Sequence, residues 1–351
     1  MWKNLEVFCR FYFFCVILLF GSGCTNAQVY KYSNRNVPAS YLNLKSALPT
    51  VKMNEFVPIE KYLPKGYSKR GDIDYTTIIQ NALNENRNVL MPNFPVLVNS
   101  TGLKIQSNSK IFFQDRSKIL LEPTKKDIYH IILIKNCTNV EIFNAQIVGD
   151  RKGHLGQTGE WGMGISIYSS ENVKIYNPNV IECWGDGIYL GREIGAKNNT
   201  NISIYSAQLH RNRRNGISII SAVGLLLQSP VVSNTNGTLP MSGIVLEPNN
   251  NLDEINDVKI NNARTFNNRY GILVYLKAMQ GAKKKDVNIE INSPIDNYSI
   301  CGVDVSDFAI NKTSQKIGGK IQISNPSWEN NQKTFSKHKN NKLPIVIVKS
   351  N

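Results

Sequence analysis

Two acids and two adjacent arginines stand at the edges of apolar runs, where a strand would hold them in place. Asp186 lies in CWGDGIYLG and Glu247 in GIVLEPN, while Arg213 and Arg214 lie between them in RNRRNG. Carboxyl groups transfer protons as general acids and bases. A guanidinium beside them can hold an anionic group by a bidentate contact. The residue types predict Asp186, Glu247 and Arg214 as catalytic groups and Arg213 as a binding group. The alternative is that Asp186 is a turn residue and that Glu247 and the two arginines are solvated surface residues.

A long segment, GDRKGHLGQTGEWGMG, adds further polar and aromatic residues just before this region. Long loops between regular elements commonly serve a site. His154 is the candidate for proton transfer, and Glu160 and Trp161 are candidate ligand contacts. Trp184 stands three residues before a glycine, as Trp161 does, so both indoles are predicted to stack on a ligand. The alternative for the tryptophans is packing at a turn.

The elements that must position these residues are short repeated strands. One pattern of a glycine followed by alternating branched residues returns at intervals of 23 to 31 residues. Its occurrences are GISI at Gly164, GIYL at Gly187, GISI at Gly216, GIVL at Gly243, GILV at Gly271 and GVDV at Gly302. A second pattern interleaves with it, as in NVEI at Asn139 and NVKI at Asn172. Apolar residues at alternate positions indicate strands, and repeats this short are stable only when stacked.

Stacked coils place equivalent residues in rows about 4.8 Å apart. Residues one and three after each glycine are branched and are predicted to face inward. Residues two before, two after and four after then face outward, which places Arg214, Tyr189 and Glu247 on one outer face. Asp186, Asn215 and Ser242 share the row just before the glycine. Asp186, Arg214 and Glu247 are therefore expected to meet, and Tyr189 to contribute to binding.

Both ends of the repeat region carry recognisable segments. At the start, GDIDYTTIIQNALNENRNVLMP predicts a helix capped by Asp74, with Ile79 and Leu83 on its apolar face. At the far end, KLPIVIVKS is expected to form a closing strand, and ENNQKTFSKHKNNK before it a solvated loop. The many asparagines at turns are expected to form structural ladders.

From Gly71 to Asp307 this combination of cap and stacked strands resembles the right-handed parallel β-helix superfamily of pectate lyases and polygalacturonases. The resemblance implies an all-β fold, a right-handed parallel β-helix with a short N-terminal helical cap. The predicted β-helix domain is 71–351, after a lead-in segment, 24–70. Polygalacturonases carry Asp, Asp and His in successive coils before the glycine. Asp186 matches the first, whereas Asn215 and Ser242 replace the others, and Leu273 and Tyr275 stand where a basic RIK motif is expected.

The resemblance implies an exported polysaccharide-degrading enzyme, a glycoside hydrolase or a polysaccharide lyase, acting on an acidic polysaccharide in a groove. In hydrolysis Asp186 and Glu247 would flank the glycosidic bond. In elimination an arginine would neutralise a uronate while a base removes the neighbouring proton. The alternatives are a non-catalytic carbohydrate-binding or surface-adhesive protein and a sugar epimerase. No cofactor or metal is expected, except Ca²⁺ if the protein is a lyase.

The first residues predict export. Residues 1–23 carry Lys3 and Arg10 followed by an apolar run, the pattern of a signal peptide. The following GSGCTNAQ resembles a bacterial lipobox with Cys24 as the lipidated residue, and cleavage after Ala27 is the alternative. The protein is thus expected outside a bacterial cell, as an outer-membrane or cell-surface lipoprotein or in periplasmic or secreted form.

The net charge and the remaining cysteines limit the kinds of partner and ligand that we expect for this protein. A formal net charge of +15, in an exported protein, favours an anionic polysaccharide or a membrane surface over nucleic acid. The alternative is a solvated basic surface. Cys137, Cys183 and Cys301 are widely spaced without a CxxC pair, so they are predicted to be small buried residues rather than disulfide or zinc ligands.

Overall fold

The computed structural model describes residues 32–42, 44–281, 284–306, 317–339 and 343–348. The predicted signal peptide and Cys24 lie outside these residues. Within the described ranges, no helix has the length and apolar character needed to cross a membrane.

The described chain winds into a solenoid of about nine coils, a right-handed parallel β-helix, which confirms the predicted fold class. Each full coil adds one strand to each of three sheets, named A, B and C in the order in which the chain enters them. Each strand inside a sheet pairs in parallel with the strands one coil earlier and one coil later, and the strands at the sheet ends pair with one neighbour. The order of strands along each sheet is therefore their order in the chain.

The strands of each sheet are given in chain order. Sheet A comprises Val57–Pro58, Asn88–Met91, Ser109–Phe113, Thr138–Phe143, Glu171–Tyr176, Asn199–Tyr205, Ala222–Gln228, Ile255–Asn261, Lys285–Asn292, Ile317–Ser324 and Ile345–Val348. Sheet B comprises Pro95–Val98, Lys118–Leu121, Gln146–Val148, Asn179–Ile181, Gln208–His210, Val231–Ser233, Arg264–Phe266, Ile295–Asn297 and Ser327–Glu329. Sheet C comprises Leu103–Ile105, Ile128–Lys135, Trp161–Tyr168, Ile188–Gly191, Ile217–Ile219, Ser242–Leu246, Tyr270–Val274, Cys301–Val305 and Lys333–Lys337. The α-helix is Thr76–Glu85, and single 3₁₀ turns are Ala39–Tyr41, Met53–Glu55, Ile59–Lys61 and Lys277–Met279.

The interior is built from the rows that the repeat predicts. Ile188 pairs with Ile217, which pairs with Ile244, and all three are fully buried. Burial of one such side chain contributes about 1.5–3 kcal/mol. The repeated glycines stand where there is no room for a side chain, and not where the backbone needs a turn. A Cβ at Gly216 would lie 2.1 Å from Val232 Cγ1. These glycines face the crowded interior and allow the coils to close.

The turns between strands depend on asparagine. Asn139, Asn172 and Asn201 have φ values of 57°, 53° and 54°, the left-handed region that asparagine tolerates better than most residues. Their side chains stack between coils, as Asn172 Nδ2 donates to Asn139 Oδ1 at 2.6 Å. Asn139 Nδ2 in turn donates to Asn108 Oδ1 at 2.9 Å. The expected ladders are therefore present.

The N-terminal cap agrees with the predicted helix with one shift. The helix is Thr76–Glu85, and its N-cap residue is Tyr75 rather than Asp74. Asp74 still accepts a hydrogen bond from the Thr76 amide at 2.9 Å. Ile79 and Leu83 are buried against the first coil.

The lead-in segment contributes to the solenoid instead of preceding it. Residues 57–58 form the first strand of sheet A, ahead of the boundary expected at residue 71. Farther upstream, the Ser33 carbonyl accepts a hydrogen bond from Asn267 at 2.9 Å. The Ser46 amide donates to Asn177 Oδ1 at 2.8 Å. Residues 33–42 and 44–46, the crossing segment, thus contact coils that are three apart.

The last coils confirm one prediction and correct another. Ile345–Val348 pairs with Ile317–Ser324, as expected of a closing strand. The predicted loop before it contains the strand Lys333–Lys337 of sheet C. This strand was missed because its side chains are largely exposed and lack an apolar alternation.

The three predicted buried cysteines are confirmed. Cys137, Cys183 and Cys301 are buried free thiols. Burial raises the pKa of the Cys301 thiol to about 12, with further increases from Asp304 and Asp296. These thiols therefore act as small core residues.

Candidate functional site

The candidate site lies on the outer face of sheet C, where polar side chains of successive coils converge. Asp186 and Arg214 precede the strands Ile188–Gly191 and Ile217–Ile219, and Glu247 follows Ser242–Leu246. The parallel register stacks these strands in three successive coils. The structure therefore brings together the three residues that the row positions predict to meet.

Arg214 is the centre of this group. Its Nη1 donates to Asp186 Oδ2 at 3.1 Å, and its Nη2 donates to Glu247 Oε1 at 2.6 Å. Arg214 Nε lies 3.8 Å from Glu160 Oε2. Burial disfavours the charged guanidinium, but the three carboxylates outweigh it and raise the pKa of Arg214. We name Asp186, Arg214, Glu247 and Glu160 the Arg214 cluster.

Asp186 is enclosed within the protein. Its side chain is 0% exposed, and Oδ1 accepts the Asn215 amide at 2.9 Å. Oδ2 accepts both Arg214 and the Ser218 hydroxyl, the latter at 2.7 Å. Burial raises the pKa of Asp186, and Arg214 and Ser218 oppose that increase. The predicted catalytic role does not fit this environment, because a carboxylate without exposed surface cannot contact a ligand; Asp186 instead orients Arg214.

Glu247 and Glu160 are the carboxylates of the cluster that reach the surface. Their side chains are 16% and 31% exposed, and that of Arg214 is 13% exposed. Burial raises the pKa of Glu247, and the charges of Asp186 and Glu160 add to the increase, while Arg214 opposes it. Glu160 was predicted only as a binding residue. Its ion-pair distance to Arg214 makes it a second carboxylate beside Glu247.

Aromatic side chains border the cluster on the same face. Tyr189, predicted to bind a ligand, is largely buried, and its hydroxyl accepts Asn249 Nδ2 at 3.3 Å. Its ring lies 5.4 Å from that of Tyr168. Trp161 is partly buried against the small apolar cluster that contains Met163 and Tyr189. Trp161 and Tyr168 keep exposed surface beside the carboxylates, which suits contact with a sugar ring.

A second group, built around the loop before Trp161, is closed. His154 Nδ1 lies 2.7 Å from Asp150 Oδ2, and the Tyr129 hydroxyl donates to Asp150 Oδ1. The side chains of His154 and Asp150 are 0% exposed. The ring of His154 stacks on that of Trp184 at 3.9 Å. We name Tyr129, Asp150, His154, Trp184 and Arg213 the His154 cluster.

The other two members of the His154 cluster are held in the same way. The guanidinium of Arg213 lies 3.9 Å from the Trp184 ring, and Nη1 donates to the Gly159 carbonyl at 2.8 Å. Trp184 Nε1 donates to the Thr158 carbonyl at 3.0 Å. His154 has no exposed side-chain surface, so its predicted contact with a ligand does not fit this packing, whereas Trp184 and Arg213 are partly exposed and their ligand contacts remain predictions. Their contacts secure the loop that delivers Glu160.

Sequence reasoning placed several supporting residues less well than the charged ones. The row position of Ser218 predicts that it faces outward but not that it contacts Asp186, and the sequence gives no prediction for Asn249. Ser218 is two residues after its glycine, so its row position was the signal available. Asn249 follows the strand Ser242–Leu246 in an irregular segment, where no periodicity indicates which way it points.

The described residues hold no group of three or more His, Cys, Asp or Glu side chains arranged to bind a metal ion. In the Arg214 cluster the guanidinium occupies the place between carboxylates that a cation would take. The site therefore consists of two partly exposed glutamates, a buried ion pair that orients them and an aromatic border.

The fold defines the class of protein: a parallel β-helix of the pectin-lyase-like fold. No protein-family model matches the chain. The SPbeta prophage-derived uncharacterized protein YorA of Bacillus subtilis (strain 168) is 29% identical over 163 residues, which cover 42% of this chain and 28% of that protein. The uncharacterized protein YclG of the same strain is 28% identical with the same coverage. The matches thus span less than a third of these relatives.

Three solved structures share the fold. The pre-mature gene product 12 of bacteriophage phi29 has a TM-score of 0.60 at 15% identity, covering 80% of this chain and 42% of that one. A double mutant of the tailspike of E. coli bacteriophage HK620, in complex with a pentasaccharide, has a TM-score of 0.57 at 11% identity, covering 84% and 60%. An exopolygalacturonase of Thermotoga maritima has a TM-score of 0.54 at 11% identity, covering 88% and 81%. At these identities the similarity shows the fold alone.

Proposed function

We propose that the protein is a glycoside hydrolase that cleaves a polysaccharide on the outer face of sheet C. The observation that carries the proposal is the pair of partly exposed carboxylates, Glu247 and Glu160, held within ion-pair distance of the same guanidinium of Arg214. Two carboxyl groups flanking one glycosidic bond are the usual requirement for its hydrolysis.

The environments of the two glutamates assign their roles. Glu247 is the more buried, and burial raises its pKa, so we assign it as the general acid that donates a proton to the glycosidic oxygen as that bond breaks. Glu160 is the more exposed and acts as the carboxylate. It either removes a proton from the water that attacks the anomeric carbon or attacks that carbon itself. In both cases a water molecule is divided between the two products.

Asp186 and Arg214 hold the reacting glutamate in place and do not react themselves. The three hydrogen bonds that Asp186 accepts fix the guanidinium, which in turn fixes Glu247 at 2.6 Å. A reactive group whose own partners are held rigidly keeps its geometry during the reaction. We therefore place Asp186 and Arg214 among the positioning residues and not among the reacting groups.

The comparisons support a polysaccharide as the substrate. The tailspike with the same fold was crystallised with a pentasaccharide, and another neighbour is an exopolygalacturonase. Export is also part of the proposal: residues 1–23 would direct it, with Cys24 as the lipid attachment site or cleavage after Ala27. An exported enzyme would meet polymers outside the cell.

A second candidate is a glycan-binding protein without catalysis. It is favoured by Asn215 and Ser242, which stand where polygalacturonases carry Asp and His. An elimination or epimerase mechanism has less support, since Arg214 is engaged by Asp186 and Glu247 and so is not available to neutralise a uronate.

The test is to incubate the protein with a panel of polysaccharides and follow reducing ends and the ultraviolet absorbance of unsaturated uronates together. We expect reducing ends without absorbance, and their loss in Glu247→Gln. Both signals together would identify a lyase and overturn the proposal. Retention on an immobilised polymer with no new ends across the panel would favour the binding protein.

A further inference from the structure

We infer that the sugar residue bound at the Arg214 cluster is uncharged, so the substrate is a polysaccharide that is neutral at the cleaved unit. The inference rests on the proposed function and narrows it. It also departs from the acidic polysaccharide that the sequence predicts. Three properties of the outer face of sheet C carry it: the local charge, the engagement of its cations, and the groups that remain to contact a ligand.

The Arg214 cluster carries no excess of positive charge, although the chain as a whole is basic. Asp186, Glu247 and Glu160 surround the guanidinium of Arg214, and the charge of Arg213 interacts with Glu160 as well. A uronate or sulfate placed beside Glu160 would meet a like charge. Like charges at short range in a partly buried site repel strongly, because solvent screens them poorly there.

Arg214 has no simple way to recognise an anionic sugar. Its Nη1 and Nη2 donate to Asp186 and Glu247, and its Nε is buried facing Glu160. A bidentate contact with a ligand carboxylate would have to displace one of these protein carboxylates. The displaced group would then be buried without its partner, which is strongly unfavourable.

Neighbouring cations are engaged as well. Arg213 lies over Trp184 and donates to Gly159, and Arg192 pairs with the buried Asp253 at 3.0 Å. Lys135 pairs with Glu193 at 2.7 Å. Arg269 lies over Tyr270 in the row of Arg214 but two coils farther along, roughly 10 Å away at the strand spacing. An anionic unit could be held there, but not beside Glu160 and Glu247.

The side chains that keep exposed surface beside the cluster are of types that recognise hydroxylated rings. Trp161 and Tyr168 are partly exposed aromatic residues, and the Tyr168 hydroxyl is already hydrogen-bonded to Tyr189. Carboxylate oxygens of Glu160 accept hydrogen bonds from sugar hydroxyls. Such a border favours stacking and hydroxyl contacts over charge recognition.

Matched polymers test the inference. Polygalacturonan, alginate and hyaluronan are each compared with their carboxyl-reduced forms, in which each uronate becomes an uncharged hexose. Mannan, β-glucan, chitin oligosaccharides and chitosan complete the panel. Reducing ends are measured for the wild type, and binding for Glu247→Gln, in raised salt, so that general attraction to the basic protein is screened.

We expect cleavage and binding of one or more uncharged polymers, and at least tenfold weaker binding of any acidic parent. Faster cleavage of an acidic parent than of its reduced form would overturn the inference and leave the proposed hydrolase intact. Preference for chitosan over chitin would overturn it in favour of a cationic sugar. Binding of an uncharged polymer without cleavage would overturn the hydrolase and keep the inference; no binding at all would overturn both.

A charge variant supplies the control. In the Glu247→Gln background, Glu160→Gln removes one negative charge from the site and is expected to improve binding of acidic polymers several-fold. Glu141→Gln removes an equal charge from sheet A, where Glu141 pairs with Lys110 at 3.0 Å. If both substitutions improve binding equally, the effect is one of net charge, and local exclusion of anions is wrong.

Discussion

The Arg214 cluster and the His154 cluster contain similar residues and yet differ in the property that matters for chemistry. Each combines carboxylates with a basic side chain beside aromatic rings, and Asp186 lies two residues after Trp184 in the chain. In the Arg214 cluster Glu247 and Glu160 keep exposed surface, whereas Asp150 and His154 keep none. Residue type alone therefore does not distinguish a reactive site from a structural one; access to solvent does.

The difference follows from the elements that carry the two clusters. Row positions on the strands of sheet C aim Arg214 and Glu247 outward at a fixed spacing. The His154 cluster instead closes a loop onto the coil, through contacts such as Trp184 with the Thr158 carbonyl. The first arrangement presents side chains to a ligand, and the second satisfies them internally.

The sharpest test of the comparison is removal of the reacting carboxylates. We expect Glu247→Gln and Glu160→Gln each to lower kcat/KM by about 10²–10⁴-fold, because each removes a proton-transfer or attacking group. The thermal midpoint should change little, since both side chains are partly exposed. Assays on the cleaved polymer beside thermal unfolding measure both effects; retained activity in either variant would remove that glutamate from the mechanism.

For the His154 cluster we expect the opposite pattern, a loss of stability with activity retained. His154→Ala removes the partner of Asp150 and leaves a cavity against Trp184, so the free energy of unfolding should fall by about 2–4 kcal/mol. Activity per folded molecule should remain. Denaturant unfolding gives the first value and kcat the second, with Leu155→Ala, an exposed neighbour, as control. A large loss of kcat with unchanged stability would move His154 into the active site.

Asp296 is a buried carboxylate that, unlike Asp186, has no guanidinium among its hydrogen-bond partners. Asp296 lies in the core, hydrogen-bonded to Thr265, Ser299 and Asn331, and burial raises its pKa to about 6. The folded state therefore binds the proton more tightly than the unfolded state, whose pKa is about 3.9. The contribution of Asp296 to the free energy of unfolding is therefore most favourable below about pH 4. It falls by about 3 kcal/mol as the pH rises from there through 6.

Asp296→Asn should remove this part of the pH dependence and stabilise the protein at pH 7. Unfolding free energies measured across pH 4–8 in both proteins give the difference directly. Asp286→Asn, at an exposed position, should leave the slope unchanged. An identical slope in wild type and Asp296→Asn would show that Asp296 does not titrate in this range.

The smallest expected effect is on polymer binding, and it distinguishes Trp161 from Trp184. Trp161→Ala should weaken polymer binding by about 1 kcal/mol, roughly fivefold, through loss of ring stacking. Trp184→Ala should leave affinity nearly unchanged and lower the thermal midpoint instead, because its ring packs on His154 and Arg213. Binding is measured in the Glu247→Gln background. Equal loss of affinity in both variants would mean that Trp184 also contacts the polymer.

Periodicity explains how far the sequence predicts this molecule. The glycine-anchored pattern locates sheet C, the asparagine-led pattern locates sheet A, and their spacing brings Arg214 to Glu247. Sheet B was missed because most of its strands have only three residues, as in Gln208–His210, too few to show an alternation. The position of Glu160 was not predictable either, since its loop follows no repeat and its fold depends on packing against Trp184.

The crossing segment affects the order in which the coils unfold. A solenoid held only by contacts between adjacent coils can unzip from one end, one coil at a time. Here the bonds from Ser33 to Asn267 and from Ser46 to Asn177 fasten coils that are not neighbours. Loss of the coil that contains Asn267 also removes the contact with Ser33, and the earlier coils stay fastened to one another through the bond of Ser46 to Asn177. The middle of the solenoid, including the candidate site, should then unfold as one cooperative block while the last coils fray independently.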